Sequence, residues 1–363
     1  MSSKILIIGS TGELGSKLLK YTKLHKIKIY AATCYKNKKK LHQQKSKFEI
    51  KRTFVLSLEP DKKKFLNLLK EKIDIIYFLD FGSLSLIYLD IFLNNNTNSL
   101  VAIANKELII AGGKLLFDKL KKTKNTFIPL DSEHFSLKNN LIASEFINKV
   151  YLTASGGPFF FNKNKNISKA NLTDVLNHPK WKMGINNSID SSNFINKILE
   201  IYELSYIYDL PLKKIDFLIS KEAFIHSIVK YEDGIISFNA FKNDMLLTLS
   251  YPIKKYFKID NYIDSEKFIF KSLNFKITKK LDKRFILFKY LENMKQFDHH
   301  DQIKLMLINN FAQSLYLSNK ISYIDIIPYT MKKIKTLSYN PKFNNLLDIV
   351  KYIDNLKLKL EHE

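Results

Sequence analysis

The chain has 363 residues, 45% of them hydrophobic, which is too apolar for a disordered protein and enough for more than one domain with a buried core. Lys and Arg outnumber Asp and Glu 59 to 35, a net charge of +24, but the lysines are scattered beside many Asn, Ile, Phe and Tyr, as AT-rich codon usage produces. With no zinc-finger or RNA-recognition spacing among them, a nucleic-acid partner is not expected.

Residues 4–8 read as a buried strand, 12–23 as a helix and 27–32 as a second strand. Short apolar runs at 54–56, 73–78 and 100–103 continue the pattern, and the lysine-rich run 36–51 reads as a solvated helix or loop. Strands alternating with helices predict a parallel, Rossmann-like sheet covered on both faces. A further strand ends near residue 130, and a new unit begins near 149 with a strand at 150–154. Helical patterns follow at 170–177 and 192–208, strands at 214–219 and 235–238, and a helix or strand pair at 223–231; beyond a connector at 265–283 the period is helical. No apolar run reaches the roughly 18 residues of a membrane span. Met1 leads straight into the first strand pattern with no signal-peptide layout, and the single cysteine, Cys34, allows no internal disulfide. A cytoplasmic protein without a membrane partner is therefore expected.

Six motifs can carry chemistry. Residues 9–15, GSTGELG, join a strand to a helix. Glycines there let the backbone approach a pyrophosphate at the helix N-terminus, although such a turn can also exist without a ligand. Glu13 places a negative charge at this turn and is expected to point away from the pyrophosphate. The segment after the second strand, 31–38, lacks the acid that binds a ribose 2′-hydroxyl and carries lysines, which favours the 2′-phosphate of NADPH. Residues 104–107, ANKE, put Lys106 at a strand's carboxyl end, as a ligand group or a surface lysine. Asp131 and Glu133, at i and i+2 in a segment read as extended, point to one side and can share a hard cation or form an acidic cap. The Ser155-Gly156-Gly157 turn suits an anion or is an ordinary tight turn. Residues 178–184, with His178, Trp181 and Gly184, read as a lid or as core. In 189–200 the serines read as the start of a helix that places Asn196 and Lys197 on the side of Glu200. This group can grip a phosphate and a metal, or form a capped helix with a surface ion pair.

The identity and order of GSTGELG, ANKE, LDSEH, LTASGGPF, HPKWKMG, the IDSS-NK-E helix and IHSIVKYEDG closely resemble the 1-deoxy-D-xylulose 5-phosphate reductoisomerases of non-mevalonate isoprenoid biosynthesis. The resemblance covers about residues 5–245. It implies an NADPH-binding domain (1–148), an α+β catalytic and dimerisation domain (149–264), the connector (265–283) and a C-terminal helical domain (284–363). It also implies a homodimer, a sugar-phosphate substrate, NADPH, and Mg²⁺ or Mn²⁺, with Co²⁺ as a further option. Matched residue by residue, Asp131, Glu133 and Glu200 fall on the metal ligands. Lys106 lies near the reacting hydroxyls and, with His178 and the three carboxylates, is assigned to catalysis. Ser132, Glu133, Ser155, Ser191, Asn196, Lys197 and Glu200 fall on substrate positions, with His178 and Trp181 in the lid. Gly9, Thr11, Gly12, Glu13, Leu14, Lys36, Asn37, Asn105, Glu107 and Gly184 fall on cofactor positions. Departures from the family pattern are Glu13, Tyr35, Ala223 in the segment 220–223, Ile185-Asn186 and Asn309-Asn310. They leave open the alternative of a non-catalytic, eroded binding protein on the same scaffold.

Overall fold

The computed structural model describes residues 3–139, 146–164, 166–177, 184–259, 276–278 and 282–361. The chain forms two compact units, one of Met1–Phe135, Asp244–Ile269 and Asn345–Val350, the other of Ser136–Asn243, Phe270–Asn344 and Lys351–Glu363.

The first unit alternates β1 (Ile5–Ile8), α1 (Glu13–Leu24), β2 (Ala31–Cys34), α2 (Lys38–Lys47), β3 (Arg52–Val55), α3 (Glu59–Leu68), β4 (Ile75–Phe78), α4 (Ser85–Asn95), β5 (Leu100–Ile103), α5 (Lys106–Lys122) and β6 (Thr126–Pro129), after which comes the short α6 (Ser132–Ser136). The strands form one parallel sheet in the order β3-β2-β1-β4-β5-β6. Every residue of β1, β2, β4 and β5 is buried, because helices cover both faces of such a sheet and leave no position for a polar side chain to reach water. Pro129 has no N–H to offer a neighbour and is tolerated because β6 is an edge strand. The strand order reverses between β1 and β4, and the carboxyl ends of strands at such a switch point border the ligand crevice of open α/β sheets. The second strand begins at Ala31 rather than 27, its register being fixed against β1 by Leu6 opposite Ala31. The lysine-rich run resolves as α2, capped by Asn37 Oδ1, which accepts from the Lys40 N–H at 3.1 Å.

The second unit holds β7 (Ile147–Ala154), α7 (Leu172–Leu176), α8 (Ile185–Ser192), α9 (Ile195–Tyr208), β8 (Ile215–Ser220), β9 (Ile225–Tyr231), β10 (Ile236–Ala240), β11 (Ile277–Thr278), α11 (Leu291–Met294), α12 (His299–Leu317) and α13 (Ile326–Thr336). Two further helices are α10 (Met245–Phe257), in the first unit, and the C-terminal α14 (Leu346–Glu361). The second sheet has the order β10-β9-β7-β8-β11, with β7 and β8 parallel and the other pairs antiparallel. The ambiguous segment 223–231 holds a single strand, β9, from Ile225, paired with β10 and β7.

Two local expectations are corrected. The helix expected over 192–208 is two helices, because Phe194 sits at φ 69 and breaks the ladder between α8 and α9. Ser191 and Ser192 therefore end α8 and do not begin α9. The segment carrying Asp131 and Glu133 is not extended: residues from Ser132 on are helical, and Asp131 Oδ1 accepts the Glu133 N–H at 3.1 Å.

Candidate active site

The glycine turn follows β1. Gly9 has φ +83, and a Cβ on it would lie 2.6 Å from the Asp80 backbone nitrogen; one on Gly15 would lie 2.5 Å from Ser10 Cα. The turn is therefore backbone packed on backbone. Ser10 ties it to β2 and α2, its N–H donating to Thr33 O at 2.9 Å and its Oγ to Gln44 Oε1 at 2.8 Å. Gly12 caps α1 with no side-chain hydrogen bond, and Thr11, Gly12, Glu13 and Leu14 present backbone at the helix start. Glu13 turns to Lys17 at 3.5 Å, an exposed pair. Lys36 and Asn37 are exposed after β2, with Lys36 Nζ 5.6 Å from the centre of the Tyr35 ring.

At the carboxyl ends of β4 and β5, Asn105 caps α5 through Oδ1, which accepts from the Leu108 N–H at 3.1 Å. Its Nδ2 donates to Gly82 O at 3.0 Å and to Asp80 Oδ1 at 3.4 Å. Ser85 Oγ also donates to Asp80. Burial pushes the Asp80 carboxyl up to about 6, although both hydrogen bonds favour its charged form. Sequence reading had not singled out Asp80; its place just past a strand end at the switch point was the available signal. Glu107, also on α5, is buried.

Lys106 Nζ donates to Asp131 Oδ2 at 2.8 Å, with both side chains about one-fifth exposed. This is neither a free surface lysine nor an isolated acidic cap. It joins the ends of adjacent strands β5 and β6. Ser132 Oγ donates to Glu133 Oε2.

In the second unit β7 delivers Ser155 to a turn in which Gly156 and Gly157 have φ 88 and 58. A Cβ on Gly157 would lie 3.0 Å from Ser191 O, so the turn lies against the end of α8. One turn along α9, Asn196 Nδ2 donates to Glu200 Oε1 and Lys197 Nζ pairs with Glu200 Oε2. Lys197 and Glu200 are buried, so this is no surface pair. Asp190 on α8 accepts from Asn309 Nδ2 at 2.8 Å and Gln313 Nε2 at 2.6 Å, so Asn309, which keeps the family's residue, is a structural donor, and the departure of the pair lies at Asn310. Ala223, at φ 52, is buried and offers no hydroxyl. Gly184 is the exposed N-cap of α8. His178 and Trp181 lie outside the described residues, as does most of the connector.

Among the described residues, Asp131 and Glu133 in the first unit and Glu200 in the second each offer a carboxylate oxygen as a metal ligand. The donors are all oxygen, which selects hard cations such as Mg²⁺ or Mn²⁺ over those preferring nitrogen or sulfur.

A family description, the 1-deoxy-D-xylulose 5-phosphate reductoisomerase C-terminal domain, matches residues 127–208. The 1-deoxy-D-xylulose 5-phosphate reductoisomerase of Pelagibacter ubique (strain HTCC1062) is 34% identical over 391 aligned positions, covering 98% of both chains. That of Sulfurihydrogenibium sp. (strain YO3AOP1) is 32% identical, covering 97% of this chain and 95% of its own. Among solved structures, the Zymomonas mobilis reductoisomerase in complex with NADPH superposes with TM-score 0.80 at 22% identity, over 100% of this chain and 99% of the other. A DOX-P reductoisomerase in complex with NADPH, fosmidomycin and magnesium gives 0.82 at 24%, over 99% and 96%. At those identities the structural likeness is one of fold. The end-to-end sequence match is the stronger finding, and by it the chain belongs to the 1-deoxy-D-xylulose 5-phosphate reductoisomerase family.

Proposed function

We propose that this chain, using NADPH and a divalent cation, rearranges and reduces 1-deoxy-D-xylulose 5-phosphate to 2-C-methyl-D-erythritol 4-phosphate, a step of non-mevalonate isoprenoid biosynthesis. The observation that carries the reading is the end-to-end alignment with reductoisomerases, in a chain that keeps the carboxylates of Asp131, Glu133 and Glu200. When bound, the cation polarises the substrate's carbonyl and hydroxyl oxygens, and the nicotinamide supplies hydride.

The chain's own groups bind and orient. Lys106, held by Asp131, brings an ammonium to the reacting hydroxyls and steadies negative charge as it develops. Glu200 orients both Asn196 and Lys197. With Ser155 and Ser191 these take the phosphate, and Ser132 adds a hydroxyl beside Glu133. Gripping the phosphate away from the reacting carbons fixes their position. To His178 and Trp181, outside the described residues, the resemblance gives the role of covering the substrate and excluding water. The cofactor's pyrophosphate fits the turn of Gly9, Thr11, Gly12, Glu13 and Leu14, whose packing admits no side chain at Gly9 or Gly15. Lys36 and Asn37 take the 2′-phosphate end, while Asn105, Glu107 and Gly184 lie along the rest.

The homodimer is part of the same reading. It is supported by β10, the edge strand of the second sheet among the described residues, where Ile236 and Phe238 are each half exposed. Phe238→Lys is expected to convert a dimer to a monomer in light scattering; an unchanged mass would remove β10 from the interface. No helix among the described residues is long and apolar enough to cross a membrane. Cytoplasmic residence is the compartment that suits the buried thiol of Cys34.

The test is oxidation of NADPH with the deoxyxylulose phosphate, with and without chelator. Turnover that requires added Mg²⁺ or Mn²⁺ is expected. Glu200→Gln should lower kcat by about a thousandfold or more while NADPH still binds. Full activity in that variant refutes the metal assignment. A folded protein that fails to bind NADPH favours the eroded scaffold.

A further inference from the structure

In the first unit, the carboxyl ends of β2, β3 and β4 expose large apolar side chains to water. Tyr35 follows β2 and is 59% exposed, Leu58 follows β3 at 45%, and Phe81 and Leu84 follow β4 at 62% and 46%. Apolar residues exposed singly are ordinary, whereas several gathered at one edge mark a surface that is covered in use. The gathering is seen at Tyr88 of α4. Burial first, then Asp80, Tyr35 and Glu59, push its phenol up to about 12, so groups from all three strand ends lie around one ring. Asp80 and Glu59 are the chain neighbours of Phe81 and Leu58, and the Ser57 N–H donates to Tyr35 O at 3.0 Å.

The same edge carries the glycine turn. β2 and β4 lie on either side of β1. The Gly9 N–H donates to Thr33 Oγ1 at 3.3 Å, and a Cβ on Gly9 would lie 2.6 Å from the Asp80 backbone nitrogen. The chain leaving β2 and the chain leaving β4 therefore close on the turn from opposite sides, one bearing Tyr35 and the other Phe81. Lys36 Nζ lies 5.6 Å from the centre of the Tyr35 ring. In NADPH the adenine is bonded to the ribose carbon next to the one that carries the 2′-phosphate. A phosphate held at Lys36 thus leaves the base within a sugar's breadth of Tyr35. The phosphates are served by lysine and backbone N–H groups, while the two rings match the flat, apolar faces of the base.

We propose that Tyr35 and Phe81 hold the adenine of NADPH between their rings, with Leu58 and Leu84 as apolar walls. This rests on the cofactor reading above and deepens it. Tyr35, a departure from the family pattern, then adds affinity by stacking and does not erode the site. Stacking uses the π face that every base has, so the rings fix the adenosine half without reading the edge of the base.

Adenosine 2′,5′-bisphosphate is the probe, titrated calorimetrically into the full chain. It carries the base and the sugar phosphates of this half of the cofactor and no nicotinamide. The Tyr35→Ser/Phe81→Ser double variant is expected to bind it about tenfold or more weakly than the parent. Tyr35→Phe/Phe81→Tyr, which keeps both rings, should bind it as the parent does. Both side chains are mostly exposed, so the fold is not at risk. Inorganic pyrophosphate, which has no base, should bind the parent and the serine variant alike. Equal affinity of those two proteins for the bisphosphate overturns the stacking role and leaves the cofactor reading standing; if their mass in light scattering then differs, the apolar edge belongs to a second copy of the chain. An equal loss of pyrophosphate binding also overturns the role, since it places the damage in the glycine turn. A parent that binds neither the bisphosphate nor NADPH overturns the cofactor reading and the stacking with it.

Discussion

Asp80 shows how far a single residue's chemistry can be set by its surroundings. Its carboxyl ordinarily ionises near 4, and burial at the end of β4 pushes it up to about 6. Between those values the folded chain binds the proton and the unfolded chain does not, so stability falls as pH rises from about 4 to about 6. Asp80→Asn keeps the shape and removes the charge. It is predicted to raise stability at pH 7 by at most about 3 kcal/mol and to flatten the pH 4–6 dependence in denaturant titrations; an undiminished slope would acquit Asp80. Because Asp80 also receives the Asn105 amide, the same variant is expected to alter NADPH affinity. Gly15 is the steric counterpart. Gly15→Ala would drive a Cβ to 2.5 Å from Ser10 Cα, with an expected loss of about 1–3 kcal/mol from forced backbone movement and weaker NADPH binding in fluorescence titration. Wild-type affinity would mean that the turn can yield.

Among the elements, the α8–α9 junction carries most of the site's geometry in the second unit. Phe194 holds a left-handed backbone at φ 69, a conformation unfavourable for a bulky side chain by about 1–2 kcal/mol. Packing offsets it: the ring is buried and lies within 6.0 Å, centre to centre, of Phe160, Phe217, Phe285 and Phe288. The break lets α9 start afresh at Ile195, with Asn196, Lys197 and Glu200 on one face. Phe194→Ala should cost about 3–5 kcal/mol by cavity formation, read as a lower midpoint in urea, and should raise KM for the sugar phosphate more than that for NADPH. Equal effects on the two would separate the junction from phosphate binding. The break was not legible in the sequence, because Ser-Ser before an apolar-periodic stretch is a good local helix start. The aromatic cluster that favours the left-handed turn comes from segments distant in the chain.

For the molecule as a whole, the net charge of +24 acts in two directions. Self-repulsion disfavours the compact state, while the positive potential gathers anionic substrates. Added salt screens both within about 8–10 Å at physiological strength. Raising NaCl from low to about 0.3 M is therefore expected to raise Tm and also to raise KM for the sugar phosphate. If KM were indifferent to salt, long-range steering would have no part in substrate capture.

The parallel sheet was legible because strands buried on both faces must be continuous apolar runs, as in residues 5–8 and 75–78. The glycine turn was legible because the steric demand at Gly15, against Ser10, is local, whereas that at Gly9 comes from the Asp80 backbone of a neighbouring strand's end; the face shared by Asn196, Lys197 and Glu200 follows from helical spacing alone. The order of the motifs added the family by resemblance. The sequence could not tell that Asp131 caps a helix rather than lying in a strand, that Asp80 is held neutral to higher pH, or that Lys197 and Glu200 are buried. Each of these depends on through-space distance and on the exclusion of water, and both are set by residues far away in the chain.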